Sequence, residues 1–222
     1  MNTRFSVIIP TYDTPEFLIE CLNSFNKFEN IEILVGIDGC EKTKSVIGSL
    51  EKQNNVRFFY FTENSGPYNI KNNLIKESKS DVILFFDSDD VVSSDIFRKY
   101  DPKYDITRLT FEDFGGKRYN VELSQSVFFI KKIVLEQLSG FESWICNADE
   151  EFRKRAFYKN FKIKKDIQIS FKRRIHTKNL TIKEGTNMIS ELRNSYVKKI
   201  EEKFKSKNWN NPEIKKLEYY EL

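Results

Sequence analysis

Short apolar runs and helically spaced apolar positions alternate through residues 1–100. Phe5-Ser6-Val7-Ile8-Ile9 reads as a strand, stopped by Pro10-Thr11-Tyr12. Phe17, Leu18, Cys21, Leu22 and Phe25 then recur three or four apart, with Pro15 suited to a first helical turn. Residues 31–37 form a second apolar run closed by Asp38-Gly39, a helix is predicted over 43–53, and 56–61 is a third strand. The turn Asn64-Ser65-Gly66-Pro67 leads into a helix through Ile70, Leu74 and Ile75, and a fourth run covers 82–86. This alternation predicts an α/β fold with a doubly wound, mostly parallel sheet flanked by helices.

Beyond residue 100 the periodicity changes. Residues 104–114 and 119–121 flank Gly115-Gly116, a hairpin signal, and 126–130 is a further strand. Residues 131–138 read as helical up to Ser139-Gly140, and a helix over 148–159 precedes a basic, strand-like stretch over 161–175. Residues 186–206 predict an amphipathic helix with Met188, Ile189, Leu192, Tyr196, Ile200 and Phe204 on one face. The tail from Asn208 is expected to be short and docked, or loosely ordered, and the chain has no internal repeat.

With 222 residues, 39% hydrophobic and 32% charged, the chain has the composition of a folded globular protein. No apolar run approaches the roughly 18 residues that span a bilayer, and the N-terminal run is too brief for a signal-peptide core. Cys21, Cys40 and Cys146 show no pairing pattern, so a reducing, cytoplasmic setting is expected. The charge is lopsided: residues 1–152 hold 17 Lys and Arg against 25 Asp and Glu, and residues 153–222 hold 20 against 8. A basic C-terminal third suits an anionic partner, whether nucleic acid, phospholipid headgroups at a membrane surface or substrate phosphates. A solubilising surface would carry the same composition.

The densest chemistry follows the fourth apolar run, at Asp87-Ser88-Asp89-Asp90. Crowded carboxylates repel unless a cation joins them, and Mg²⁺ or Mn²⁺ takes oxygen ligands shared between one or two carboxylates and substrate phosphates. A polar loop or helix cap is the plainer alternative. In a doubly wound sheet, ligands bind outside the carboxyl ends of the strands, where Tyr12-Asp13, Asp38 and Asp87 to Asp90 all fall.

Ser6-Val7-Ile8-Ile9-Pro10-Thr11-Tyr12, with Cys21-Leu22-Asn23-Ser24 downstream, resembles the opening motif of family-two glycosyltransferases of the GT-A fold. The stretch 32–39, Asn64-Ser65-Gly66 with Lys71-Asn72, the Asp87 to Asp90 cluster, and Arg173-Arg174-Ile175-His176 with Asn179-Leu180-Thr181 are similar to further motifs of that family, in the same order. The resemblance covers about residues 5–181. It implies a GT-A domain over 1–181, with a nucleotide-binding half over 1–100 and an acceptor-binding half over 101–181. A C-terminal helical appendage and tail would occupy 182–222.

The resemblance also implies roles. A nucleotide-sugar donor, a UDP-sugar first, would be bordered by Pro10, Tyr12 and Lys71. Asp38 would accept the uracil imide N–H, unless it is only an Asp-Gly turn residue. Asp87 would sit near the ribose, and Asp89, Asp90 and His176 would hold Mn²⁺ or Mg²⁺. Gly140-Phe141-Glu142-Ser143-Trp144 followed by Asp149-Glu150-Glu151 looks like the region of the catalytic base, with Asp149 as base and Glu150 as runner-up. Carboxylates that merely complement a helix dipole would account for Glu151. Trp144 would stack on a sugar or base, or pack internally.

The implied reaction is inverting hexosyl transfer to a glycan hydroxyl. Glycosylation of hydroxylated DNA bases, of the phage type, and a sugar-nucleotide binding module without turnover are the alternatives. A nucleotidyltransferase would need a glycine-rich basic loop where this chain has Pro10-Thr11-Tyr12-Asp13.

Overall fold

The computed structural model of the protein describes residues 4–49, 53–116 and 119–222. The apolar runs of the first half form β1 (Phe5–Thr11), β2 (Ile31–Asp38), β3 (Val56–Phe61) and β4 (Val82–Phe85), joined by α1 (Pro15–Phe25), α2 (Glu41–Gly48) and α3 (Pro67–Leu74). The last residues of the helix expected over 43–53 lie outside the described residues. β5 (Val91–Val92), β6 (Ile106–Phe114) and β7 (Val121–Lys131) follow, then α4 (Lys132–Gln137), α5 (Ala148–Tyr158), β8 (Ile163–Arg174), α6 (Glu191–Ser206) and β9 (Tyr219–Glu221).

Among the described residues these strands form one sheet in the order β5-β8-β6-β7-β4-β1-β2-β3-β9. β3, β2, β1 and β4 are mutually parallel, whereas β7 is antiparallel to both of its neighbours. Successive side chains of β1 enter opposite cores: Val7 and Ile9 pack with Leu18, Leu22 and Phe25 of α1, while Ile8 packs with Ile70, Leu74 and Phe152. Burial on both faces is why these strands read as continuous apolar runs rather than alternating ones. Gly36 of β2 lets α3 approach, since a Cβ there would stand 2.2 Å from Ile70 Cγ2.

The second half departs from expectation in three places. The strand expected over 126–130 is the end of the longer β7, and residues 117–118 of its hairpin lie outside the described residues. α6 begins at Glu191 because the Ser190 side chain caps it, accepting from Arg193 N; Met188 and Ile189 stay outside the helix, exposed. Of the expected α6 face, Ile200 is buried and Phe204 is exposed. The tail docks: Trp209 and Leu217 are buried, Asn73 bonds the backbone of Lys215 and Leu217, and β9 pairs antiparallel with β3.

Much of the charge asymmetry is resolved within the molecule. Basic side chains of the last third pair with acidic ones of the first two-thirds: Arg173 with Asp113, Arg174 with Glu20, Lys178 with Asp13, Lys203 with Glu142 and Glu151, and Lys215 with Glu63. The three cysteines are free and buried. Among the described residues no helix is long and apolar enough to cross a membrane.

Candidate active site

The chain turns tightly after β4, with Asp90 N donating to Asp87 O at 3.2 Å, and the three carboxylates diverge. Asp87 accepts from Ser126 Oγ at 2.5 Å and faces Lys71 Nζ at 3.6 Å. Asp89 meets His176 Nε2 and Asn179 Nδ2, each at 2.8 Å. Asp90 turns inward and accepts from the backbone N of Arg174 at 3.0 Å, which ties the acidic turn to the end of β8. Burial pushes the Asp90 carboxyl well up, with the charges of Asp89 and Asp87 adding to it. Burial likewise raises Asp87, against the pull of Lys71. Asp90 is thus buried and bonded through one oxygen to the backbone of β8, with the charges of Asp89 and Asp87 close by.

His176 is held on several sides. Its backbone N donates to Asn179 Oδ1 at 2.7 Å, its Nδ1 accepts from Lys178 N at 3.2 Å, and its ring lies 4.7 Å from that of Phe17. Lys178 Nζ pins the segment further to Asp13, at 2.9 Å from Oδ2. Among the described residues no set of three or more His, Cys, Asp or Glu side chains is arranged to hold a metal ion. The donors at hand are one hard carboxylate and one imidazole beside two further raised carboxyls. That set fits a divalent ion that completes its shell with phosphate oxygens and water.

The other residues expected around a nucleotide line the same end of the sheet. Pro10 is buried in β1 opposite Gly36, and Tyr12 just beyond is half exposed. Lys71 is buried, its Nζ 5.6 Å from the ring of Tyr68 and 5.4 Å from that of Phe85. Asp38 at the end of β2 accepts from Ser65 N at 2.7 Å and Gly66 N at 2.9 Å, so it fixes the turn before α3. Burial raises its carboxyl, and those two amides pull it back.

α5 supplies the acidic side chains expected for catalysis, and it separates them. Asp149 is buried, accepts from Glu150 N at 2.9 Å, hydrogen-bonds Tyr68 and lies 3.9 Å from Arg153. Tyr68, its hydrogen-bond partner, has its ring 5.6 Å from Lys71 Nζ, which in turn faces Asp87 at 3.6 Å, so Lys71 and Tyr68 link the two carboxylates. Glu150 points outward into an ion pair with Lys154 at 2.9 Å. Glu151 does more than complement a helix dipole: it is fully buried, paired with Arg155 at 3.0 Å and with Lys203 at 2.8 Å. Arg155 also bonds the carbonyls of Leu138 and Gly140, which anchors the loop before α5. Gly140 sits at φ +62, where a Cβ would meet Asn72 Oδ1 at 2.3 Å. Asn72 there bonds both N and O of Phe141, each at 2.8 Å. Trp144, expected against a sugar or base, stacks on Tyr196 of α6 with centroids 4.6 Å apart and planes 7° apart. That contact occupies one face of the indole.

Several contributors carry no sequence signal of their own. Arg108 and Thr110 of β6 pair with Phe128 and Leu123 of β7, so Leu109 alone spans the place where β7 bulges through residues 124–127. The bulge delivers Ser126 to Asp87 and Gln125 to Arg108 and Arg153. Arg193 of α6 donates to Asn147 Oδ1 at 2.6 Å and Thr186 O at 2.8 Å, bracing the start of α5. Only the i to i+4 spacing of Arg153 from Asp149 offers a local signal that could have found one of them.

The family model for glycosyl transferase family 2 matches residues 6–200. Among curated relatives, the poly(ribitol-phosphate) beta-N-acetylglucosaminyltransferase TarS of Staphylococcus aureus is 31% identical over 101 residues, covering 43% of this chain and 18% of that protein. An uncharacterized glycosyltransferase of Mycoplasma genitalium, MG060, is 28% identical over 179 residues, covering 74% of this chain and 59% of that protein. The chain thus spans less than two thirds of the length of these relatives. S. aureus TarS 1-349 in complex with UDP-GlcNAc superimposes with a TM-score of 0.66 at 18% identity, over 78% of this chain and 59% of that one. The mannosyltransferase PcManGT from Pyrobaculum calidifontis, in complex with GDP-Man and Mn²⁺, gives 0.66 at 13% identity, over 81% and 59%. The sheet and its flanking helices therefore have the GT-A architecture, and the chain belongs to glycosyl transferase family 2.

Proposed function

We propose that the protein moves a sugar from a nucleoside diphosphate sugar, a UDP-sugar first, to a hydroxyl of a glycan acceptor, with inversion and with the help of a divalent ion. The observation that carries this reading is the contact path that joins the acidic turn, with its Asp89–His176 pair, through Asp87 and Lys71 to Tyr68 and the buried Asp149. Structures of similar fold bind UDP-GlcNAc in one case and GDP-Man with Mn²⁺ in the other, which supports the donor class.

In this reading Asp149 takes the proton of the acceptor hydroxyl as it attacks the anomeric carbon. Glu150, drawn off by Lys154, has no part in that step. Pro10, Tyr12, Lys71 and Asp87 border the nucleotide. Asp38 keeps a lone pair on each oxygen beyond the two amide bonds, and these suit the imide N–H of uracil. Asp89 and His176 hold Mn²⁺ or Mg²⁺, which when bound supplies charge stabilisation to the departing diphosphate. Asp90 positions the segment bearing His176 through Arg174 N. Residues 1–100 act as the nucleotide half, 101–181 as the acceptor half, and 182–222 as a brace. A glycan acceptor is preferred over DNA because so much of the basic C-terminal third is already paired within the chain. Three free thiols fit a cytoplasmic setting.

The test is binding of UDP, GDP, CDP and dTDP by thermal shift, with and without Mn²⁺, to the protein and to Asp89→Ala. Preferential, metal-dependent UDP binding that Asp89→Ala loses is the expected result. Absence of metal-dependent nucleotide binding overturns the reading.

A further inference from the structure

Beside Asp149 stand two arginines, more positive charge than the transfer step requires. Arg108 of β6 donates from Nε and one terminal nitrogen to Ser124 O, and from that same nitrogen to Gln125 Oε1 at 3.1 Å. Its second terminal nitrogen has no protein partner among the described residues. Arg153 of α5 donates to the same Gln125 Oε1 and to Gln125 O. Two guanidinium groups therefore meet on one neutral amide, with Asp149 as the carboxylate near both. Burial and the charge of Arg153 bring Arg108 down to about 10, against the pull of Asp149.

Bracing the β7 bulge does not account for this arrangement. Hydrogen bonds to a carbonyl and an amide oxygen need donors but no charge, and a guanidinium beside another guanidinium is repelled. The register breaks just after Arg108, between it and Thr110, against both β7 and β8, so Arg108 is the last paired residue before the bulge that carries Gln125.

We propose that Arg108, backed by Arg153, forms an anion-binding subsite on the acceptor side of the site, so that the acceptor carries a phosphoester or carboxylate near its reacting hydroxyl. The inference rests on Asp149 marking the acceptor side. The open terminal nitrogen of Arg108 offers charge-assisted hydrogen bonds to either anion, while Asp149 lies 3.9 Å from Arg153. Binding the anion there orients the hydroxyl toward Asp149 and offsets the repulsion between the two arginines.

The test is calorimetric titration with methyl glucoside 6-phosphate, methyl glucuronide and methyl glucoside, with and without saturating UDP and Mn²⁺. Charged sugars are expected to bind about tenfold or more tightly than the neutral one, with a preference that narrows as salt rises. Arg108→Gln erases the preference and Arg108→Lys keeps part of it, while both retain the wild-type melting temperature and UDP affinity. Preference for the phosphate alone identifies a phosphoester acceptor, and for the glucuronide alone a uronic-type one. Equal binding of all three, no binding of either charged sugar, or a preference that survives Arg108→Gln overturns the proposal. The UDP titration reports on the donor site by itself, so each reading fails on its own result.

Discussion

The parallel and the mixed halves of the sheet present their functional side chains in opposite ways. β1, β2, β3 and β4 run in unbroken register, and their chemistry emerges only at strand ends, in Asp38 and in the acidic turn after Phe85. β6, β7 and β8 lose register around Leu109, and there Ser126 reaches Asp87 and Gln125 reaches Arg108 and Arg153 from within the strands. A regular ladder uses up its backbone groups and leaves its termini for ligands, whereas a bulged one turns mid-strand residues toward the site. The first half thereby keeps its ladder intact up to the strand ends. The second can alter its bulge without disturbing the first.

The largest effect expected is on the chemistry of the mixed half. Asp149→Asn lowers kcat by about 10²- to 10⁴-fold with UDP affinity kept, whereas Glu150→Gln stays within a few-fold of wild type. Equal losses in the two variants would erase the distinction between the inward and outward carboxylates of α5. Next comes stability: Arg155→Ala leaves Glu151 buried with only Lys203 and costs about 3 kcal/mol or more in urea unfolding.

What could be read beforehand follows the same division. Apolar runs buried on both faces announce their strands, and an Asp directly after such a run must lie at a strand end, so Asp38 and Asp87 were placed correctly. The bulge left no trace, because Ser124-Gln125-Ser126 reads as an ordinary strand edge until its partner's register is known. That Asp90 turns inward depends on Arg174, 84 residues away, and that Trp144 is covered depends on Tyr196 of α6. Glu151 and Arg155 have helical pair spacing, yet their burial comes from the loop over 138–140 and from Lys203. Contacts of that range have no local pattern to read.

Two smaller effects sharpen the comparison. Gly36→Ala, in the unbroken ladder, forces Ile70 aside and costs about 1–3 kcal/mol in the same unfolding assay, with kcat retained below the transition. The smallest concerns Asp13, whose carboxyl is held below its ordinary value by Lys178 and then Lys42. A depressed folded pKa adds stability above the ordinary aspartate range and loses it as pH falls through the depressed value. Asp13→Asn should therefore melt slightly earlier near neutral pH, by well under about 1 kcal/mol for so exposed a pair, and match wild type in acid. A gap that widens in acid would contradict the assignment.

The outer edge of β3 is closed by residues 219–221, and Arg57 grips Glu221 from 164 positions upstream. During synthesis that edge stays open until almost all of the preceding sequence has left the ribosome. For that interval the nascent parallel half exposes an unpaired strand edge along Val56-Arg57-Phe58-Phe59-Tyr60-Phe61, an aromatic edge prone to pairing with other chains. Closure of this edge therefore waits on the synthesis of residues 219–221, and slow elongation or chaperone shortage should raise aggregation before it touches activity.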